Sequence, residues 1–271
     1  MHTDNFNYSI LGTNAQQRVV FLHGLMAFSA NWRKIANRLE NQYQCLIYDQ
    51  RGHGRSFKPD TGYSLDILAE DLNKITAELG WEQFHLVGHS MGASVAMVFA
   101  HKFPEKVKTL TLEDMGASIL ADSYKYYEKM LNLVPTPFAT KEAVNNFFEN
   151  EFLKLFSPSE NPRVLVSFLQ ANIEEKQPGG AYDWRFSKQA IIEIAKQSRQ
   201  KDRWLEVSSF KMPVLLIRGE NSHVFSKEEF HKMQQINPQI IGVEIKEAGH
   251  WLHYEKYEEF TEKLLNFLKE N

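Results

Sequence analysis

The chain has 271 residues, 43% apolar and 24% charged, which fits one or two globular domains and excludes a disordered or fibrous polypeptide. A formal net charge of -3 gives no bulk attraction to nucleic acid or anionic lipid, and no apolar run approaches the roughly 18 residues of a membrane span. The single cysteine, Cys45, rules out an intramolecular disulfide, and Met1-His2-Thr3-Asp4-Asn5 lacks a charged-then-apolar leader, so a cytoplasmic protein is expected.

Short apolar runs alternate with helical patterns through the first 115 residues. Val19–Leu22, Cys45–Tyr48, Phe84–Val87 and Val107–Leu112 lack polar alternation, as do parallel strands covered on both faces. Between them, Trp32, Ile35, Ala36 and Leu39 recur at helical spacing, as do Leu65, Leu68, Leu72, Ile75 and Leu79, with Gly80 as the stop. The fold class is therefore α/β, a mostly parallel sheet with helices on both faces.

The alternation breaks after Gly116. From Ala117 to Phe210 the spacing predicts helices near Asp122–Leu133, Lys141–Phe156, Arg163–Glu175 and Ser187–Gln200 and no strand, with Pro135, Pro137, Pro158, Pro162 and Pro178-Gly179-Gly180 as punctuation. Strand signals resume at Val214–Ile217 and Ile240–Lys246, and helix signals at the capping-box run Ser226-Lys227-Glu228-Glu229 and at Glu258–Leu268. Residues 1–116 and 211–271 are thus expected to form the core and residues 117–210 a helical cap, an insertion too long for a loop.

The chemistry centres on Gly88-His89-Ser90-Met91-Gly92, between a buried strand and the helical run Ala93–His101. A serine on such a turn is held in strained backbone clear of the sheet, and the flanking glycines remove the clashes. A serine hydroxyl needs a base. His250, in Ala248-Gly249-His250-Trp251, follows a strand at the end where α/β sheets place their sites. Of the other histidines, His23 and His53 are expected to shape loops, His89 to point away from Ser90, and His253 to begin a surface helix. The glycine turn in Phe21-Leu22-His23-Gly24-Leu25 lets the Leu25 N–H face the site, where with the Met91 N–H it would form an oxyanion hole. No metal-ligand spacing and no phosphate-binding glycine loop is present, so no cofactor or metal is expected.

His23-Gly24, Asp49-Gln50-Arg51-Gly52-His53-Gly54-Arg55-Ser56, Gly88–Gly92 and Gly249-His250-Trp251 together resemble the α/β-hydrolase superfamily over nearly the whole chain. Within it, Arg218-Gly219-Glu220-Asn221-Ser222, Tyr182–Phe186 and Gly249–Lys256 are most similar to the small bacterial esterase/thioesterase branch related to mitochondrial abhydrolase-type proteins. The resemblance implies a serine, an acid and a histidine in that chain order. Many members carry an aspartate where this chain has Ser222, and a serine cannot stabilise an imidazolium by charge. The resemblance instead implies Asp114, at the end of the Val107–Leu112 strand. Glu113 is the immediate rival, because a one-residue slip at a strand end exchanges directions, and Glu220 is a third candidate. Ser222→Ala is expected to be nearly silent.

The expected activity is hydrolysis of small-molecule carboxylic esters of short to medium acyl chains through an acyl-enzyme on Ser90, with His250 as base and Asp114 as orienting acid. The same triad could support a thioesterase, C–C hydrolase, perhydrolase or acyltransferase, and the fold could serve as a ligand-binding receptor. The segment from Ala117 to Phe210 carries equal numbers of acidic and basic residues, with a loose basic cluster only at Arg199, Lys201 and Arg203. This pattern does not favour the phosphates of a coenzyme A thioester. Phe147, Phe148, Phe152, Tyr182, Trp184 and Phe186 offer apolar surface instead, most of it core.

Overall fold

The computed structural model describes residues 5–119, 123–157, 161–198 and 200–271. Asp122, Pro158 and Arg199, used above as a helix start, a breaker and a basic-cluster member, lie outside them. Seven strands form one sheet: β1 (Tyr8–Leu11), β2 (Gln17–Leu22), β3 (Tyr43–Tyr48), β4 (Phe84–His89), β5 (Val107–Glu113), β8 (Val214–Gly219) and β9 (Ile240–Ile245), in the spatial order β1-β3-β2-β4-β5-β8-β9. Every pairing is parallel except that of β1 with β3, where Tyr8 faces Tyr48 and Leu11 faces Cys45. After β2 the chain steps to one side for β3 and to the other for β4. The crevice at the carboxyl ends of β2 and β4 is therefore the switch point where α/β sheets bind ligands.

The apolar runs are explained by burial on both faces. In β2, Val20 and Leu22 pack with α2 (Leu65–Glu78) and α3 (Met91–Lys102), while Val19 and Phe21 pack with α1 (Arg33–Leu39) and α12 (Tyr257–Glu270). All four are fully buried, and each such side chain contributes about 1.5–3 kcal/mol. Capping sets the helix starts: Ser64 accepts from the Ile67 N–H before α2, and Ser226 from the Glu229 N–H before α10 (Lys227–Ile236).

Between β5 and β8 lie α4 (Ser123–Leu133), α5 (Lys141–Asn150), α6 (Phe152–Leu155), α7 (Pro162–Ala171), α8 (Lys188–Gln197) and α9 (Trp204–Ser209). The expectation of no strand here is corrected, because β6 (Ile173–Glu175) and β7 (Tyr182–Trp184) form an antiparallel hairpin with Ile173 opposite Trp184. Each strand has three residues, too few to display a period of two. The segment has its own apolar cluster, in which Phe147, Phe148, Phe152, Trp184 and Phe186 pack with Met130, Leu165 and Ile191, and Met26 and Trp251 join it from the loops beneath. By contrast α9 packs on α3 and α10, with Val207 and Phe210 in the core cluster of the sheet.

Candidate active site

Ser90 lies between β4 and α3 with φ 53° and ψ -119°, a positive φ that costs a non-glycine residue about 1–3 kcal/mol. The surrounding packing enforces it. A Cβ on Gly88 would strike the Gly92 carbonyl and stand 2.7 Å from the Ala93 nitrogen, and one on Gly92 would meet the carbonyls of Leu22 and His23. The two glycines therefore let α3 seat directly against the ends of β2 and β4, with its N-terminal turn behind the serine.

The Ser90 hydroxyl donates to Nε2 of His250 at 2.9 Å, and Nδ1 of His250 donates to Oδ2 of Asp114 at 2.7 Å. Asp114 is fully buried, at φ 50°, one residue beyond β5. Its Oδ1 accepts from the Gly219 N–H at 3.0 Å, and its Oδ2 also accepts from the Ser222 hydroxyl at 2.5 Å. Ser222 in turn accepts from the Val224 and Phe225 N–H groups, both at 3.2 Å. The serine in place of an aspartate thus holds the carboxylate that the neighbouring strand supplies.

The rival carboxylates lie elsewhere. Glu113 binds His253, whose Nδ1 donates to its two oxygens at 2.8 and 3.0 Å and whose N–H donates at 2.9 Å. Glu220 accepts from the Glu247 N–H at the exposed side of the loop. His253, expected on a surface, is buried in α11 (Leu252–Glu255) beneath Trp32, because the buried Glu113 draws it inward.

His89, expected to point away from Ser90, braces His250: its Nε2 donates to the His250 carbonyl at 2.8 Å, and it lines the same cleft as Ser90. Burial, with the nearby rings of His250 and His253, holds its pKa well below the ordinary value, so the ring is a neutral strut. Glu255 pins the same loop by accepting from the Gly249 and Trp251 N–H groups at 3.2 and 3.1 Å. His89, Glu255 and Ser222 were not read from sequence as site residues, because their partners are backbone groups or residues distant along the chain.

Leu25 lines the cleft in front of Ser90, and Met91 opens α3 immediately behind it. The loop carrying Leu25 is fixed from below. The Gln50 N–H donates to Nε2 of His23 at 2.9 Å, and the Met26 N–H to Nε2 of His53 at 3.2 Å. Both histidines must then be neutral acceptors, and burial lowers both pKa values, that of His53 to about 3. Burial alone would raise the Asp49 pKa, but the N–H groups of Arg55 and Ser29 outweigh it and hold the carboxyl below its usual range. Arg51 pairs with Asp71 and donates to the Gly62 carbonyl at 2.7 Å. A Cβ on Gly24 would come within 2.9 Å of His89 Nδ1, so a glycine is needed where this loop crosses the elbow.

Ser90 and His250 open onto a narrow cleft walled by Tyr126, Met130, Leu165, Phe168 and Trp251. Trp251, expected as a packing anchor, lies against Phe168 at 5.8 Å and forms part of that wall. The aromatic residues picked from the inserted segment are mostly its interior. Nearby, the ligating atoms of His89, Glu113 and His253 lie within 4.8 Å of one another, but the Glu113 oxygens and His89 Nε2 already make the hydrogen bonds described above. The arrangement as a whole can abstract a proton from a hydroxyl as that hydroxyl attacks an electrophile held in the cleft.

The family model described as alpha/beta hydrolase fold matches residues 17–257. The sn-1-specific diacylglycerol lipase ABHD11 of Danio rerio is 26% identical over 275 residues, covering 98% of this chain and 83% of that protein. The 2-(acetamidomethylene)succinate hydrolase of Mesorhizobium japonicum is 26% identical, covering 92% of this chain and 87% of its own length. Among solved structures, a marine microorganism esterase superposes with a TM-score of 0.83 at 27% identity, covering 97% of this chain and 99% of the other.

Proposed function

The chain belongs to the α/β-hydrolase fold family, and on that premise we propose that it is a serine hydrolase of carboxylic esters with short to medium acyl chains. The observation that carries this is the hydrogen-bonded series Ser90–His250–Asp114, at 2.9 and 2.7 Å, opening onto a cleft with an apolar wall from Met130, Leu165, Phe168 and Trp251. Ser90 Oγ attacks the ester carbonyl carbon while His250 Nε2 takes its proton. Asp114 stabilises the imidazolium and keeps the ring in the tautomer that presents Nε2. The Leu25 and Met91 N–H groups receive the developing oxyanion, a role in which one donor is worth roughly 3–4 kcal/mol of transition-state stabilisation. His250 returns the proton to the leaving alkoxide, then takes one from the water that attacks the acyl-enzyme, releasing the acid and restoring Ser90.

The inserted segment acts here as a cap whose α4 and α7 side chains receive the apolar part of the ester. Neutral esters are expected to exceed the matching acyl-CoA in kcat/KM by about tenfold, since phosphates need clustered cations. A clear preference for the full acyl-CoA over a truncated thioester would contradict this. No helix among the described residues is long and apolar enough to cross a membrane, and we assign the activity to the cytoplasm. The direct test is p-nitrophenyl acetate: steady turnover after any initial burst supports the hydrolase, whereas a stoichiometric burst alone points to a receptor or a blocked deacylation.

A further inference from the structure

The carboxylate–imidazole pairing of the triad occurs twice in adjacent residues. Asp114 holds His250, and its neighbour Glu113 holds His253, three residues beyond His250. The second pair is tightly built. Glu113 is fully buried, and both of its oxygens accept from His253. The His253 ring is stacked on Trp32 at 4.6 Å and meets the His89 ring edge-on at 4.9 Å. A carboxylate with no exposure is costly to keep, and packing alone would be served by an apolar pair.

The chemistry of the ring follows from its partner. With Nδ1–H committed to Glu113, the neutral imidazole carries its lone pair at Nε2, as His250 does toward Ser90. Nε2 of His253 has no hydrogen-bond partner among the described residues. His253 also lines the same cleft as Ser90 and His250. The pair is therefore an acceptor arm that lacks its hydroxyl.

We propose that a substrate hydroxyl completes it: His253 Nε2 accepts a hydrogen bond from a free hydroxyl on the ester, and Glu113 is the positioning residue that fixes the tautomer. The preferred substrates are then esters with a hydroxyl a short chain away from the reacting carbonyl. The His89 ring lies 4.8 Å from that of His250 and 4.9 Å from that of His253, which limits that span. This inference rests on the serine-esterase reading and narrows its substrate class.

The test compares kcat/KM within isosteric pairs by following acid release. Hydroxyethyl butanoate against propyl butanoate places the hydroxyl on the alcohol, and ethyl β-hydroxybutanoate against ethyl 3-methylbutanoate places it on the acyl chain. The expected result is a preference of about tenfold or more for the hydroxylated member of one pair, since a site built to bind a hydroxyl rejects the analogue lacking it. The pair that responds identifies the side on which the hydroxyl lies. His253→Leu should bring that ratio close to one. His253→Gln, whose amide oxygen can still accept, should keep part of the preference, and Glu113→Gln, which no longer fixes the tautomer, should lower it. If His253→Leu does not fold, the partial loss in His253→Gln carries the test. Equal rates within both pairs for the wild type, or an unchanged ratio in His253→Leu, would overturn the inference and leave the esterase reading intact. Hydrolysis of none of the four esters would overturn both.

Discussion

The assignment of the acid turns on one residue step. Glu113 and Asp114 are both carboxylates at the end of β5, and the sequence cannot say which one turns toward the histidine loop. The direction is decided by the positive φ at Asp114, where the chain leaves the strand, and no local pattern announces it. Asp114→Asn is expected to lower kcat by about three to four decades with the fold intact, because the amide favours the wrong tautomer of His250. Glu113→Gln should stay within about tenfold on esters without a hydroxyl, because its hydrogen bonds to His253 leave the Ser90–His250 pair in place. A large loss in Glu113→Gln beside a small one in Asp114→Asn would reverse the assignment. Ser222→Ala, nearly silent on the sequence expectation, should instead cost about three- to tenfold, the worth of one hydrogen bond to Asp114. Steady-state rates on p-nitrophenyl butyrate decide all three. Ser90 and His250, by contrast, were legible because each sits in a short motif at a strand end.

At the scale of elements, the long buried strands and amphipathic helices were readable because burial on two faces, or on one stripe, writes a pattern over many residues. What escaped was short. β1 has one exposed and three half-buried residues and is held by pairing with β3, and β6 and β7 depend on each other across the turn at Pro178-Gly179-Gly180. α7 ends at Ala171, earlier than helical spacing predicts, where Asn172 turns the chain into β6. The elbow gives the sharpest expectation at this scale. Gly92→Ala places a methyl against the carbonyls of Leu22 and His23, so α3 must move away from β2 and carry Ser90 with it. The variant should lose about 1–3 kcal/mol of stability from overpacking, together with most of its activity. Melting curves and rates test this, and normal values for both would contradict the close seating of α3.

Across the whole molecule, several histidines are buried as neutral struts. Burial lowers the pKa of His53 to about 3 and of His85 to about 4, and lowers those of His23 and His89. Their unfolded value is near 6.5, so above that pH neither state is charged and their contribution to stability is complete. As pH falls below 6.5 the unfolded chain takes up protons that the folded chain refuses, and stability declines until the folded values are reached. Asp49, with its lowered pKa, adds a loss of the same sign at more acid pH. The melting temperature should therefore fall by several degrees between pH 7 and pH 5, and His85→Asn, far from the cleft, should lessen the slope. A flat profile over that range would contradict neutral burial.

The proposed reaction passes through an acyl-enzyme on Ser90, and covalent capture reads out which serine is the nucleophile. Intact protein treated with a fluorophosphonate should gain a single adduct, and peptide mapping should place it on Ser90. Ser90→Ala should take up no label, lose at least about three decades of esterase rate and melt at a similar temperature, because nucleophile and base act as one unit. Persistent labelling of a folded Ser90→Ala protein, or an adduct mapped to another serine, would contradict the claim.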